Sequence, residues 1–171
     1  SLEVTELNYE GMIKQGLKLY KMFNSKDVYI KIPVNTNNSY DGIRAIKYLS
    51  KKGIKINCTL IFTPEQAVLA AKAGAKFVSP FAGRIDDFIR KNNRLKIDKT
   101  AYFPAEGLKK YEDNGIVSGV DLVAQTKEIF ETYNIKCEVL AASLRNARQV
   151  RECMLNGADI ATLPYTVIKE L

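Results

Sequence analysis

From end to end, short runs of β-branched and aliphatic residues alternate with stretches of helical periodicity, a pattern few architectures accept. Residues 2–4 read as a strand end. Residues 8–23 carry Met12, Ile13, Leu17, Leu19, Tyr20 and Phe23 at helical spacing. A strand at 28–32, a helix at 39–52 closed by Gly53, and a strand at 54–60 follow. Thr63-Pro64-Glu65-Gln66 opens a helix to residue 72, with Pro in the first turn and Gly74 just past the end. A short strand at 76–79 leads into a polar stretch, 84–115, with a short helix at 84–91 and a long excursion through Pro104, Gly107 and Gly115. A helix at 121–133, a strand at 137–142, a helix at 147–156, a strand at 160–163 and a helix from Pro164 complete the series.

Such a succession implies parallel strands joined by right-handed crossovers. The 171 residues hold roughly six βα units of about 25–30 residues each, whereas a complete (β/α)8 barrel takes about 250. A doubly wound sheet is the alternative, but no GxGxxG or Walker A loop follows any strand. There is no Pro/Gly/Ser linker, low-complexity tract or strong repeat, so residues 1–171 read as a single domain. The chain starts at Ser1 and enters a strand almost at once, which reads as sequence missing upstream.

Histidine is absent, so a Ser-His-Asp or Cys-His nucleophile, a His metal site and a His general base are all excluded. Three Cys without a CxxC pair exclude a disulfide framework and a structural zinc site. No signal peptide or long apolar run is present, which predicts a soluble, cytoplasmic protein without a membrane partner. Proton chemistry here falls to Asp, Glu, Lys, Tyr or water. The net charge is +7, from 26 Lys and Arg against 19 Asp and Glu. The basic residues are spread among acidic and apolar ones, as on a solvated surface. No RNP, C2H2 or RGG pattern points to nucleic acid; a small phosphorylated ligand would suit the same charge.

Strand parity selects the chemistry-bearing residues. Leu2 and Val4 share a face opposite Glu3. Val28, Ile30 and Ile32 oppose Tyr29 and Lys31; Ile56, Cys58 and Leu60 oppose Asn57 and Thr59; Val78 opposes Phe77 and Ser79. In the fifth strand Leu140 and Ala142 oppose Val139, Ala141 and Ser143. If the apolar faces pack on helices, a barrel interior holds Glu3, Lys31, Asn57, Thr59, Ser79 and Ser143, mostly near strand carboxyl ends, where barrel active sites form. Lys31, set between two Ile in a strand, is the sharpest signal, because Lys is almost never buried without a partner or a task. It is either an edge-strand residue facing solvent or an amine that attacks a carbonyl to form a Schiff base. Glu3 suits a proton shuttle, directly or through a water also held by Thr59, or an interior salt bridge. Asn57 and Thr59 could equally be plain strand-end hydrogen-bonders. Arg84 and Arg145 offer the planar fork that matches phosphate oxygens, and each alone could be a surface residue. Tyr29 and Phe81 read as packing residues, Cys58 as a small core hydrophobe, and Asp86 and Asp87 as a solvated helix start.

Four segments resemble the transaldolases, in the family's order and spacing over essentially the whole chain. They are Val-Tyr-Ile-Lys-Ile-Pro, Ile-Asn-Cys-Thr-Leu-Ile-Phe-Thr, Ala-Gly-Ala-Lys-Phe-Val-Ser-Pro-Phe-Ala-Gly-Arg-Ile and Val-Leu-Ala-Ala-Ser-Leu-Arg-Asn. Residues 102–106 look like the longer members. The resemblance implies a (β/α)8 barrel of which this chain covers roughly strands 3 to 8. It implies Lys31 as Schiff-base lysine and Glu3 as acid/base residue. Asn57 and Ser79 would be hydrogen-bonders, Thr59 would hold the catalytic water, and Arg84, Ser143 and Arg145 would bind the sugar phosphate. No metal or organic cofactor is implied. The implied reaction belongs to the pentose phosphate pathway and moves a dihydroxyacetone unit from fructose 6-phosphate to erythrose 4-phosphate, giving glyceraldehyde 3-phosphate and sedoheptulose 7-phosphate. The related fructose-6-phosphate aldolases tend to carry Gln in place of Glu3 and Tyr in place of Phe81, so the balance favours transaldolase. The family's Asp on the first barrel strand and Asn on the second lie upstream of the Glu3 strand and are not in this chain, which stops in the eighth helix. From another class, the alternative is an impaired barrel fragment that binds or self-associates, since six strands leave two open edges. A nucleic-acid-binding module rests on net charge alone.

Overall fold

The computed structural model describes residues 1–23, 25–34 and 40–171. The elements run β1 (Leu2–Glu3), α1 (Tyr9–Phe23), β2 (Tyr29–Pro33), α2 (Asp41–Lys51), β3 (Lys55–Ile61), α3 (Pro64–Ala73), β4 (Phe77–Pro80), α4 (Ala82–Asn92), α5 (Gly119–Thr132), β5 (Glu138–Ala141), α6 (Ala147–Leu155), β6 (Ile160–Ala161) and α7 (Tyr165–Ile168). The strands form one parallel sheet in the order β1-β2-β3-β4-β5-β6. Sequential parallel order with helical crossovers is that of a (β/α)8 barrel cut to six units. The doubly wound alternative fails, because its strand order reverses at a switch point.

Local chemistry sets the boundaries. Thr63 Oγ1 accepts from the Gln66 N–H at 3.2 Å and Pro64 occupies the first turn of α3; Gly74 ends it in the left-handed region at φ 109°. The expected start of α2 at Ser39 lies outside the described residues. The helix expected at 84–91 is longer, beginning at Ala82 directly after β4. That expected at Asp121 begins at Gly119, because Ser118 Oγ caps it by accepting from the Asp121 N–H at 2.9 Å.

One face of the sheet packs on the helices. Ile30, Ile32, Ile56, Cys58, Val78, Val139 and Ala141 are buried there with Met12, Ile46, Leu49 and Val123, each large aliphatic chain contributing ~1.5–3 kcal/mol. Alternation fails at one point: Leu60 has φ 58° and a register shift separates Cys58 from Ile61, so Ile61, not Leu60, joins the buried face. The polar excursion between α4 and α5, exposed over much of its length, is pinned at several points. Arg90, 5% exposed, donates to the carbonyl oxygens of Asp98, Ala101 and Tyr102 at 3.2–3.3 Å and lies 4.9 Å from the Phe103 ring centroid. Tyr102 Oη donates to Glu152 on α6, and Phe103 and Ile116 join Ile85, Ile89 and Leu122 in a second buried cluster. Among the described residues no helix is long and apolar enough to cross a membrane.

Candidate active site

The carboxyl ends of the strands surround a cavity of about 290 Å³. Its walls include Lys31 from β2, Asn57 from β3, Ser79 from β4, Arg84 from the first turn of α4, and Ser143 after β5. Lys31 stands on an interior strand, hydrogen-bonded to β1 and β3 on either side, so the edge-strand reading is excluded. Parallel pairing sets Glu3, Lys31 and Asn57 side by side across three strands. The Lys31 ammonium donates to Glu3 Oε2 at 3.1 Å, with the Lys31 side chain 24% and the Glu3 side chain 48% exposed. That contact is a salt bridge of Glu3, as considered, but a partly exposed one rather than an interior one, and it is also the short path a proton shuttle to the amine needs.

Asn57 and Ser79 are buried and joined, Ser79 Oγ donating to Asn57 Oδ1 at 2.7 Å. This fixes the amide so that Asn57 Nδ2 is the outward donor; it reaches Ser1 Oγ at 3.3 Å. Thr59 is on Asn57's face, one alternation further along β3. It is fully buried, and its hydroxyl has no hydrogen-bond partner among the described residues. A buried hydroxyl left so costs about 1–3 kcal/mol, a cost more readily kept for a ligand or water than for packing. Ser143 arrives by a route that parity does not describe. Strand β5 ends at Ala141 with Val139 and Ala141 in the helix-facing core, while Leu140 and Ala142 line the cavity. Ser143 then adopts φ 62°, and this left-handed turn brings it to the cavity wall.

The two arginines differ. Arg84 is exposed, lines the cavity, and its guanidinium has no hydrogen bond or ion pair among the described residues. Arg145 is not part of the wall; its Nη1 and Nη2 donate to Asp87 Oδ1 and Oδ2, both at 2.6 Å. Arg145 in turn holds the Asp87 carboxyl below its ordinary value.

Two residues depart from their sequence reading. Asp86 and Asp87 are not a solvated helix start: α4 begins four residues before Asp86, which is 3% exposed and accepts from the Gly119 N–H at 2.7 Å and Gln149 Nε2 at 2.8 Å. Phe81 packs as expected, meeting Phe62 edge-on, and it also lines the cavity with its ring centroid 5.8 Å from Lys31 Nζ. Thr162, after β6, also lines the cavity and carried no sequence signal beyond its place at a strand end. Tyr29 stacks on Phe77 at 4.4 Å and Cys58 is buried, as expected of packing residues. A neighbouring cavity of about 360 Å³, walled by Phe62, Ile85, Phe88 and Asp113, shares Arg84 but lacks Lys31. Among the described residues no group of three acidic or Cys side chains could hold a metal ion.

Comparison with known proteins gives the family and the fold. The family model described as Transaldolase/Fructose-6-phosphate aldolase matches residues 1–171. A probable transaldolase of Phocaeicola vulgatus is 43% identical over 171 residues, 100% of this chain and 63% of the relative. Another, of a Sulfurihydrogenibium species, is 42% identical with the same coverage. The chain therefore spans less than two thirds of the length of these relatives. Among solved structures, a GMP reductase of Trypanosoma brucei superposes with TM-score 0.60 at 15% identity, over 97% of this chain and 30% of that one. A flavocytochrome b2 gives 0.55 at 16%, over 92% and 40%. At such identities the likeness is one of fold alone. By whole-chain match and by identity, this chain belongs to the transaldolase/fructose-6-phosphate aldolase family.

Proposed function

We propose that this chain carries the Schiff-base face of a transaldolase, with Lys31 as nucleophile and a ketose phosphate as donor. The observation that carries the reading is the placement of Lys31. It is an amine on an interior parallel strand, opening into the carboxyl-end cavity 3.1 Å from a carboxylate and within the same walls as Arg84, which is unpaired among the described residues. Metal-free aldol chemistry needs an amine electron sink, a proton carrier beside it, and a cation for the phosphate.

Glu3 takes the proton from the Lys31 ammonium, and the free amine adds to C2 of fructose 6-phosphate. Glu3 returns the proton as the carbinolamine loses water, leaving an iminium. The C4 hydroxyl gives its proton to the Glu3 carboxylate, free again after the dehydration, and the C3–C4 bond breaks. Its electrons pass into the iminium to give an enamine, and glyceraldehyde 3-phosphate departs. The enamine then attacks the aldehyde carbon of erythrose 4-phosphate, the new alkoxide takes the proton back from Glu3, and water hydrolyses the iminium to sedoheptulose 7-phosphate and free Lys31. Thr59 holds that water; Asn57 and Ser79 hydrogen-bond the sugar hydroxyls. Arg84 and Ser143 meet the phosphate. The protein's contribution is position and proton transfer.

Borohydride trapping with fructose 6-phosphate tests the reading. The expected result is a substrate adduct on Lys31 that is lost in Lys31→Ala; equal trapping by that variant would refute the assignment. Product analysis separates the two activities of the family. Erythrose 4-phosphate should be required for turnover, whereas free dihydroxyacetone without an acceptor identifies an aldolase. Phosphate binding without trapping marks a binding-only fragment.

A further inference from the structure

Beside the Lys31 cavity lies the second one, of about 360 Å³, a size that takes a small organic molecule. The first turns of α4 supply most of its wall, with Arg84, Ile85 and Phe88 at helical spacing, and Phe62 follows directly after β3. Ile85 is anchored in the second buried cluster, but Phe88 is 44% exposed. An aromatic ring left open to solvent in a cavity rimmed by polar groups marks a binding site. Two polar groups stand in this wall. Arg84, whose guanidinium has no partner among the described residues, lines both cavities. Asp113 sits in the excursion, held by a backbone bridge to Ile116, with Asn114 Nδ2 donating to its Oδ1 at 3.3 Å. Phe62 is a second link between the cavities: its ring meets Phe81 edge-on at 6.1 Å, and Phe81 lines the Lys31 cavity. The wall dictates the ligand. Two aromatic rings and an isoleucine suit a flat apolar body, the guanidinium suits an anionic group at one end of it, and the Asp113 carboxylate disfavours a second anion.

We propose that this second cavity binds an aryl-bearing anion, with the ring against Phe62 and Phe88 and the anionic group on Arg84. Because Arg84 faces both cavities, that ligand and a sugar phosphate exclude each other, which makes the second cavity an inhibitory site. The exclusion, unlike the binding, rests on the sugar-phosphate reading of the Lys31 cavity.

The test compares phenyl phosphate with methyl phosphate, monoesters of like charge that differ in the apolar group. Calorimetry on the purified chain should show phenyl phosphate binding about tenfold tighter. Phe88→Ala removes a partly exposed ring. It should bring the two esters to within about twofold of each other while leaving methyl phosphate affinity unchanged, and Phe88→Leu, which keeps apolar bulk, should fall between. Nuclear Overhauser contacts should run from the phenyl protons to the rings of Phe62 and Phe88. Equal affinities in the parent chain, an advantage that survives in Phe88→Ala, or binding of neither ester would each overturn the proposal. So would phenyl contacts to Leu140 and Ala142, which line the Lys31 cavity instead. Fructose 6-phosphate should displace phenyl phosphate from the parent chain; simultaneous binding, or no displacement, would overturn the exclusion. Borohydride trapping on the same samples keeps the two readings apart. Trapping absent while the phenyl advantage and the displacement persist supports the second site and is a failure of the Schiff-base reading alone.

Discussion

Replacing Asp86 by Asn should remove a pH dependence that burial builds into this fold. Asp86 is 3% exposed at the junction of α4, α5 and α6. Burial pushes its carboxyl up from 3.8 to about 7; the Gly119 N–H, Arg90 and Arg145 pull downward and Asp87 pushes up again. A carboxyl that binds its proton more tightly in the fold than in the unfolded chain contributes stability that is complete below about pH 4 and is lost as pH rises through about 7. The interval from 3.8 to about 7, at ~1.4 kcal/mol per pH unit, sets an upper bound of ~4 kcal/mol. For a chain of this size that is on the order of 10 °C in melting temperature. Thermal melts of the parent and Asp86→Asn between about pH 4.5 and about pH 8 measure it. Asn keeps an acceptor for the Gly119 N–H and does not titrate, so every other group affects both proteins alike. The parent should lose ground to the variant steadily as pH rises. Parallel curves would refute the reasoning: they would mean that Asp86 is ionised throughout, held as a carboxylate by its two donors.

Three further outcomes are expected. Gly119→Ala would place a Cβ 2.0 Å from the Ala82 carbonyl oxygen, backbone against backbone; parting α4 from α5 should cost about 2–3 kcal/mol, read by urea unfolding. Thr59→Val keeps shape while removing a buried hydroxyl without a partner among the described residues, so stability should rise by about 1 kcal/mol while hydrolysis of the unreduced Schiff-base intermediate, followed by adding borohydride at successive times of a chase, slows. Thr63→Ala removes the cap of α3 and should cost about 1 kcal/mol without affecting phosphate affinity, since the cap is not part of the cavity wall.

Much of the fold and site was legible because period and parity are local. Lys31, Asn57 and Ser79 lie where alternation places them, and Thr63 and Gly74 mark a helix in plain view. Parity fails where one backbone angle changes the face, as at Leu60 and Ser143, both at positive φ. No side-chain pattern announces such a turn. The aspartates of α4 were misread for a different reason. Charge at that spacing suits solvent, and only the convergence of Gly119 and Gln149, 33 and 63 residues away, removes Asp86 from it. The Ser118 cap was visible as a Ser-x-x-Asp signature, and reading it would have moved the start of α5 to its true place.

The short first strand has a consequence for how long the site stays assembled. Glu3 sits on a strand of two residues whose neighbour within the sheet is β2. Among the described residues its hold includes the Leu2–Ile30 and Glu3–Lys31 register, the Val4 N–H to the Lys31 carbonyl at 3.1 Å, the Lys31–Glu3 ion pair and the buried Val4 side chain. Lys31 itself is anchored on both sides. Fraying of β1 would separate the Glu3 carboxylate, the proposed proton carrier, from the Lys31 amine while leaving the amine in place. Hydrogen exchange at the Val4 amide therefore reports the fraction of time the pair is assembled, independently of whether the protein as a whole is folded.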